Sequence, residues 1–244
     1  MRLSRFYCRA PLAPGARLDL PEAVARHAVR VLRLPPGAEV TLFDGRGGEY
    51  VAHIEHIERE RVSVSIGAWC ERECESPLEI TLVQAVQAAD KMDFTIQKAV
   101  ELGVTHIAPV ESRRSVVRLA GDRAGKRVAH WQGVAAAACE QCGRNRVPVV
   151  APLESVEQWL ARPNDGALRL MLAPEAETSL TSLPPASKLQ LLIGAEGGLD
   201  PREVTAAASA GFIGVRLGPR VLRTETAGLA ALAAVQTLWG DFTT

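Results

Sequence analysis

One stretch constrains the fold more than any other. Leu191-Leu192-Ile193-Gly194-Ala195-Glu196-Gly197-Gly198-Leu199-Asp200 is an apolar run that breaks into a glycine-rich turn. It leads directly into Asp200-Pro201-Arg202-Glu203, with an acid at the N-cap, proline at the first helical position and glutamate at the third. Those are strong helix-start signals. A buried strand that turns sharply into a capped helix is the unit of an α/β sheet. Ligands in such sheets bind just beyond the carboxyl ends of the strands. Glycines at that place let backbone amides approach a ligand closely.

The same alternation of signals recurs from Ser76-Pro77 onward. Strands are predicted at residues 80–86, 106–110, 168–172, 189–193 and 214–217. Helix punctuation falls between them. Asp90 is read as the cap of a helix through Leu102, ended by Gly103, and a long helix ends near Cys142 with Gly143 beyond it. Ser155 and Gln158 form a capping-box pattern, and Gly211 closes the helix that starts after Asp200. Together they predict an α/β domain with a mostly parallel sheet.

The first third reads differently. Residues 5–7 form a short strand candidate, and Pro21 opens a helix to about Arg33, stopped by Pro35-Pro36-Gly37. Residues 39–44, 49–57 and 61–68 then alternate apolar and polar positions, and Gly45-Arg46-Gly47-Gly48 turns between the first two. Several strands with one helix predict a small barrel. Residues 69–77 are acidic, lack periodicity and read as a linker, so the expected domains are 1–74 and 75–244.

Composition sets outer bounds. The chain has 244 residues and 47% hydrophobic side chains, which excludes wholesale disorder. No apolar run approaches the roughly 20 residues of a membrane span. Five cysteines, an odd number, without an export signal predict reduced thiols and a cytoplasmic location. The 28 basic and 28 acidic side chains cancel, but they are segregated. Seven arginines lie within residues 1–33 against Asp19 and Glu22, and eight basic residues lie within 112–146 against Asp122 and Glu140. Local charge of this kind suits nucleic acid as well as a solvated helix face.

Three sites stand out. The first is the 194–198 turn. It lacks the G-x-G-x-x-G spacing of a dinucleotide site, which disfavours a dehydrogenase, and residues 121–127 fail the Walker pattern because Arg127 follows Lys126. The second is Leu217-Gly218-Pro219-Arg220-Val221-Leu222-Arg223-Thr224-Glu225-Thr226, where another strand end meets a very apolar helix. Thr224 and Thr226 are both candidates to cap it. Arg220 and Arg223 sit where the helix dipole does not favour cations, which points to anionic partners, phosphate or Glu225. The third is Cys139-Glu140-Gln141-Cys142-Gly143-Arg144-Asn145-Arg146. Thiols in a helix's last turn are poor thiolates, so redox and metal roles are rejected and no metal is expected. Arg144, Asn145 and Arg146 are read as nucleic-acid contacts. Arg2, Arg5, His27, Arg30 and Arg33, with Phe6 and Tyr7 nearby, form a second candidate RNA surface on the first domain.

These motifs carry a resemblance. Gly194-Ala195-Glu196-Gly197-Gly198-Leu199 followed by Leu217-Gly218-Pro219-Arg220-Val221-Leu222-Arg223-Thr224-Glu225-Thr226-Ala227 resembles the C-terminal signature of the SPOUT RNA methyltransferases. Lys91-Met92-Asp93-Phe94-Thr95-Ile96-Gln97-Lys98, Glu101-Leu102-Gly103-Val104 and the run from Cys139 to Pro148 resemble the RsmE family, ribosomal RNA small subunit methyltransferase E. Ala195 departs from the proline usual in that family.

The resemblance implies an N-terminal PUA-like β-barrel that binds RNA. It also implies a C-terminal trefoil-knotted α/β domain, a homodimer with active sites at its interface, and S-adenosylmethionine as methyl donor. The expected substrate is N3 of a uridine in 16S ribosomal RNA, within the small subunit. The cofactor is expected on Leu172, Ala173, Ile193, Gly194, Glu196, Gly197, Gly198, Leu217, Gly218, Val221, Leu222 and Thr226. Arg223 is expected to stabilise a developing uracil anion, with Glu196 or water as proton acceptor. The rival expectation is a non-catalytic RNA-binding or ribosome-assembly factor in which the glycine turns are only structural. A cavity where the two glycine loops meet discriminates the two.

Overall fold

The computed structural model describes residues 3–59 and 61–243. It divides the chain into two compact units. The first takes the chain up to Glu75 and adds Cys139–Val147; the second takes Ser76–Ala138 and the chain from Pro148 onward.

In the first unit the strands are β1 (Ser4–Tyr7), β2 (Arg17–Asp19), β3 (Glu39–Phe43), β4 (Glu49–Glu58) and β5 (Arg61–Cys70), with helix α1 (Glu22–Arg26) after β2. They form a sheet ordered β1-β3-β4-β5-β2. The β1–β3 pair is parallel and the others are antiparallel. Alternation along β3, β4 and β5 sends Val40, Leu42, Ala52, Ile54, Val62, Val64 and Ile66 into one core with Phe6, Leu20, Ala25 and Ala28. Each fully buried side chain of the larger kinds contributes roughly 1.5–3 kcal/mol.

Three readings change here. The helix expected to run to Arg33 rewinds at His27 into a π-helix, His27–Val31, in which Leu32 N–H reaches His27 O at 3.1 Å. Arg33 then adopts φ +53°, a left-handed turn that ends the winding. Strand β2 is short and holds one apolar residue, Leu18, so alternation does not reveal it. The supposed linker begins inside β5, and its Glu73 and Glu75 pair with Arg146 and Arg144.

The second unit has strands β6 (Glu79–Ala85), β7 (His106–Glu111), β8 (Val149–Val150), β9 (Glu154–Ser155), β10 (Leu168–Leu172), β11 (Lys188–Ile193) and β12 (Ile213–Val215). Its helices are α2 (Ala89–Glu101), α3 (Asp122–Cys142), α4 (Val156–Leu160), α5 (Pro201–Ser209) and α6 (Thr224–Trp239). The sheet order is β12-β10-β11-β6-β7-β8, with β9 also on β7, and every pairing is parallel. Five of the six residues of β11 are buried, as expected of a parallel strand covered on both faces.

Capping follows the sequence at two helices. Ser155 with Gln158 caps α4, and Asp200 with Glu203 caps α5. It does not at α2, where Ala88 holds the N-cap position and Asp90 lies in the first turn. Among the described residues no helix is long and apolar enough to cross a membrane.

Candidate active site

Strands β12, β10 and β11 lie side by side and point the same way. Their carboxyl ends release three neighbouring loops, which follow Leu172, Ile193 and Val215. Between them opens a cavity of about 800 Å³, lined by Leu172, Ala173, Ile193, Gly194, Glu196, Gly197, Gly198, Leu217, Val221, Leu222 and Arg223. Two residues expected there do not line it: Gly218, which turns the chain at φ +69°, and Thr226, which is exposed on α6.

The two glycine loops are tied together. Thr224 Oγ donates to Gly194 O at 2.5 Å and accepts from Gln84 Nε2 at 3.3 Å. Thr224 is therefore the first helical residue and spends its hydroxyl on the neighbouring loop. Arg223 holds the N-cap position, and its side chain caps nothing. Without the family's proline, the 195–198 turn still closes, through Gly198 N–H to Ala195 O at 2.8 Å. Gly194 has a steric reason: a Cβ there would lie 2.8 Å from the Gly198 carbonyl carbon and from Leu199 N.

The wall also holds residues that pattern reading missed. Lys91 arrives from α2, Arg114 from the segment after β7, and Met171, Glu175 and Arg216 from strand ends. Long-range adjacency of this kind leaves no local signal. Lys91 Nζ lies 3.3 Å from Glu225 Oε1. The backbone N–H of Glu225 itself, and then Lys91 and Arg223, hold the Glu225 carboxyl below the usual carboxylate range. Of the five cations on the wall, Arg114, Arg216, Arg220 and Arg223 have no carboxylate within ion-pair distance among the described residues. The five cations outnumber the two acids, Glu175 and Glu196, on the same wall, so the lining is positive on balance.

These residues fit a nucleoside-type methyl donor. Leu172, Ile193, Leu217, Val221 and Leu222 give apolar walls for a purine. Gly194 lets the turn fold tightly on the backbone of Gly198 and Leu199, and Gly194, Gly197 and Gly198 border the cavity without side chains. The volume suits a ligand of that size. Among the described residues no cluster of His, Cys, Asp or Glu is arranged to hold a metal.

The expected RNA residues separate into two groups. Arg5, Arg144 and Asn145 are buried, which corrects their reading as surface contacts. Arg5 donates to the Glu49 carboxylate, to Asn145 Oδ1 at 2.6 Å and to Arg144 O at 3.2 Å. Arg144 grips Glu75 through Nε at 2.9 Å and Nη2 at 2.6 Å, and Asn145 Nδ2 donates to Arg72 O at 2.6 Å. Glu49 and Glu75 supply the counter-charge that makes this burial tolerable. Phe6 is also core rather than surface, edge-on to His27 at 6.3 Å. His27, Arg30, Arg33 and Arg146 are exposed, and Arg2 lies outside the described residues. Cys8 and Cys139 are buried and pushed up to about 12, mainly by desolvation.

Comparison with known proteins matches this geometry. Residues 74–236 match the RNA methyltransferase domain family, and residues 20–67 match the RNA methyltransferase PUA domain family. The chain is 32% identical over 241 residues to ribosomal RNA small subunit methyltransferase E of Buchnera aphidicola subsp. Schizaphis graminum, covering 98% of each. The crystal structure of a ribosomal RNA small subunit methyltransferase E from Neisseria gonorrhoeae, bound to S-adenosyl methionine, has a TM-score of 0.95 at 44% identity and covers 99% of this chain and 100% of that one. A Legionella pneumophila methyltransferase in complex with bound SAM has a TM-score of 0.96 at 34% identity, with 99% and 100% coverage. The expected fold class, a PUA-type unit with a SPOUT-type α/β unit, is the one observed, and the chain belongs to the ribosomal RNA small subunit methyltransferase E family.

Proposed function

We propose that this protein methylates N3 of a uridine in 16S ribosomal RNA with S-adenosylmethionine as donor. The observation that carries the reading is the cavity where the two glycine loops meet, closed on one side by the Thr224–Gly194 bond. A purely structural role for the glycine turns, as in a non-catalytic assembly factor, would leave that space filled.

S-adenosylmethionine, when bound, supplies an electrophilic methyl group. The chain's own residues do the rest. The three loops bind the donor and hold the reacting groups in line, a positioning effect worth several kcal/mol. Uracil N3 must lose a proton to react. Arg223, on the cavity wall, stabilises the developing uracil anion, and Glu196 on the same wall takes the proton or passes it to water. Lys91, steadied by Glu225, is the one cation of the wall with a carboxylate partner among the described residues.

The division of labour assigns RNA capture to the first unit, through His27, Arg30, Arg33 and Arg146, and donor binding to the second. We further propose a trefoil knot in the second unit, a reading supported by its membership of the RNA methyltransferase domain family. The proposal extends to a cytoplasmic homodimer with active sites at its interface. Phe94, Leu238 and Phe242 are large apolar side chains left exposed on the second unit and suit that contact.

The test is methyl incorporation into small subunits from cells lacking this protein, with nucleoside mass analysis. The expected product is 3-methyluridine, and absence of any incorporation overturns the reading.

A further inference from the structure

Residues 112–118, Ser-Arg-Arg-Ser-Val-Val-Arg, follow β7 and carry three arginines. This turn is built from the inside. Ser112 is fully buried and donates its Oγ to Glu203 Oε2 at 3.0 Å. Arg113 N–H donates to Glu203 Oε1 at 2.8 Å. Glu203, only 1% exposed, also accepts the Asp200 N–H at 2.7 Å in the α5 capping box. Arg118 closes the turn from outside, donating to Ser112 O at 3.0 Å and Arg113 O at 2.8 Å. One buried carboxylate therefore fixes both the start of α5 and the arginine turn beside the glycine loop.

The three guanidiniums are used differently. Arg113 pairs with Glu157 at 2.9 Å, and Arg118 lies 3.8 Å from Glu111. Arg114 has no carboxylate partner among the described residues. Its Nη1 donates to Gly197 O at 2.8 Å, and its side chain lies along Gly197, where a Cβ would stand 3.4 Å from Arg114 Cβ. It is exposed and lines the cavity. A guanidinium anchored at one nitrogen, without a counter-ion, keeps the rest of its fork for an oxyanion.

We propose that Arg114 binds a backbone phosphate of the RNA strand next to the target nucleotide, and that Ser112 and Glu203 are positioning residues that set it there. This inference rests on the reading of the chain as an RNA methyltransferase. Arg114, Glu196, Gly197 and Gly198 line the cavity and are all exposed, so this part of its rim is open to a partner larger than the cavity's contents. Val116, in the same turn as Arg114, is 82% exposed. Both the RNA phosphate and the donor's own carboxylate offer an oxyanion, and the experiment separates them.

Wild type, Arg114→Ala and Arg114→Lys are titrated with small-subunit RNA at a series of KCl concentrations, and with S-adenosylmethionine by calorimetry. Arg114→Ala is expected to weaken RNA binding about tenfold, the loss of one charged hydrogen bond. It should also flatten the slope of log K against log salt by about 0.7, as for one single-strand phosphate. Arg114→Lys should restore the slope. Donor affinity should be unchanged.

An unchanged salt slope, or donor binding that falls in parallel, overturns the phosphate assignment. Ser112→Ala, checked by thermal melting, should weaken RNA binding in the wild-type background and add nothing in the Arg114→Ala background. Equal effects in both backgrounds overturn the positioning role. These binding readouts stand apart from turnover: a wild-type protein that binds RNA and never methylates it removes the methyltransferase reading alone.

Discussion

The Arg5 guanidinium donates to Asn145 Oδ1 at 2.6 Å, joining the first strand of the chain to a loop 140 positions later. Both side chains are buried, and Glu49 and Glu75 neutralise the cations around them. The loop after α3 is thus held by a polar core rather than by apolar packing. Arg5→Ala should destabilise the protein by about 2–3 kcal/mol, because it leaves the Glu49 carboxylate only the longer contacts to Arg72 at 3.5 Å and Asn145 at 3.4 Å. Urea denaturation measures this. Arg146→Ala, on an exposed side chain of the same loop, should change stability by less than about 0.5 kcal/mol.

Gly194→Ala should weaken donor binding. The added methyl meets the backbone of Gly198 and Leu199 at 2.8 Å, so the turn must open. Calorimetry with S-adenosylmethionine should show at least a tenfold loss of affinity. Gly133→Ala, on α3 where nothing lies within 4 Å of the new atom, is the matched control and should bind normally.

Arg223→Ala should lower methyl transfer by roughly 10²–10³ while donor binding persists, the signature of a group that acts on charge in the transition state. Single-turnover methylation with donor affinity measured in parallel checks this. Normal turnover would remove Arg223 from the chemistry.

Thiol reactivity should divide by depth. Cys8 and Cys139 are pushed up to about 12 by burial, so both stay protonated at any pH below that range and form no thiolate at pH 8. Cys70 and Cys74 are exposed. Brief alkylation at pH 8 followed by peptide mass mapping should label Cys70 and Cys74 and spare Cys8 and Cys139. Labelling of Cys139 in the native protein would contradict its placement.

The alternation of the second unit is legible because each parallel strand is an apolar run stopped by polar helix signals. Leu168–Leu172 has the bounds that its composition suggests, and the Asp200 and Glu203 box closes as the spacing requires. The two glycine loops are legible for the same reason. Depth is not. Arg5, Arg144 and Asn145 look like surface residues until Glu49 and Glu75 are brought to them by the fold. Lys91 and Arg114 reach the cavity wall from elements whose own patterns say nothing about a ligand. The switch at His27 from α to π winding has no compositional mark, and β8 and β9 have only two residues each.

The cavity draws most of its wall from Met171 to Glu175, Ile193 to Leu199 and Val215 to Ala227. During translation, then, every strand, β12 included, can exist before the donor can be held. A nascent chain still short of Ala227 has nowhere to hold the donor. Competence therefore waits for the segment from Arg216 to Ala227, which follows the whole sheet.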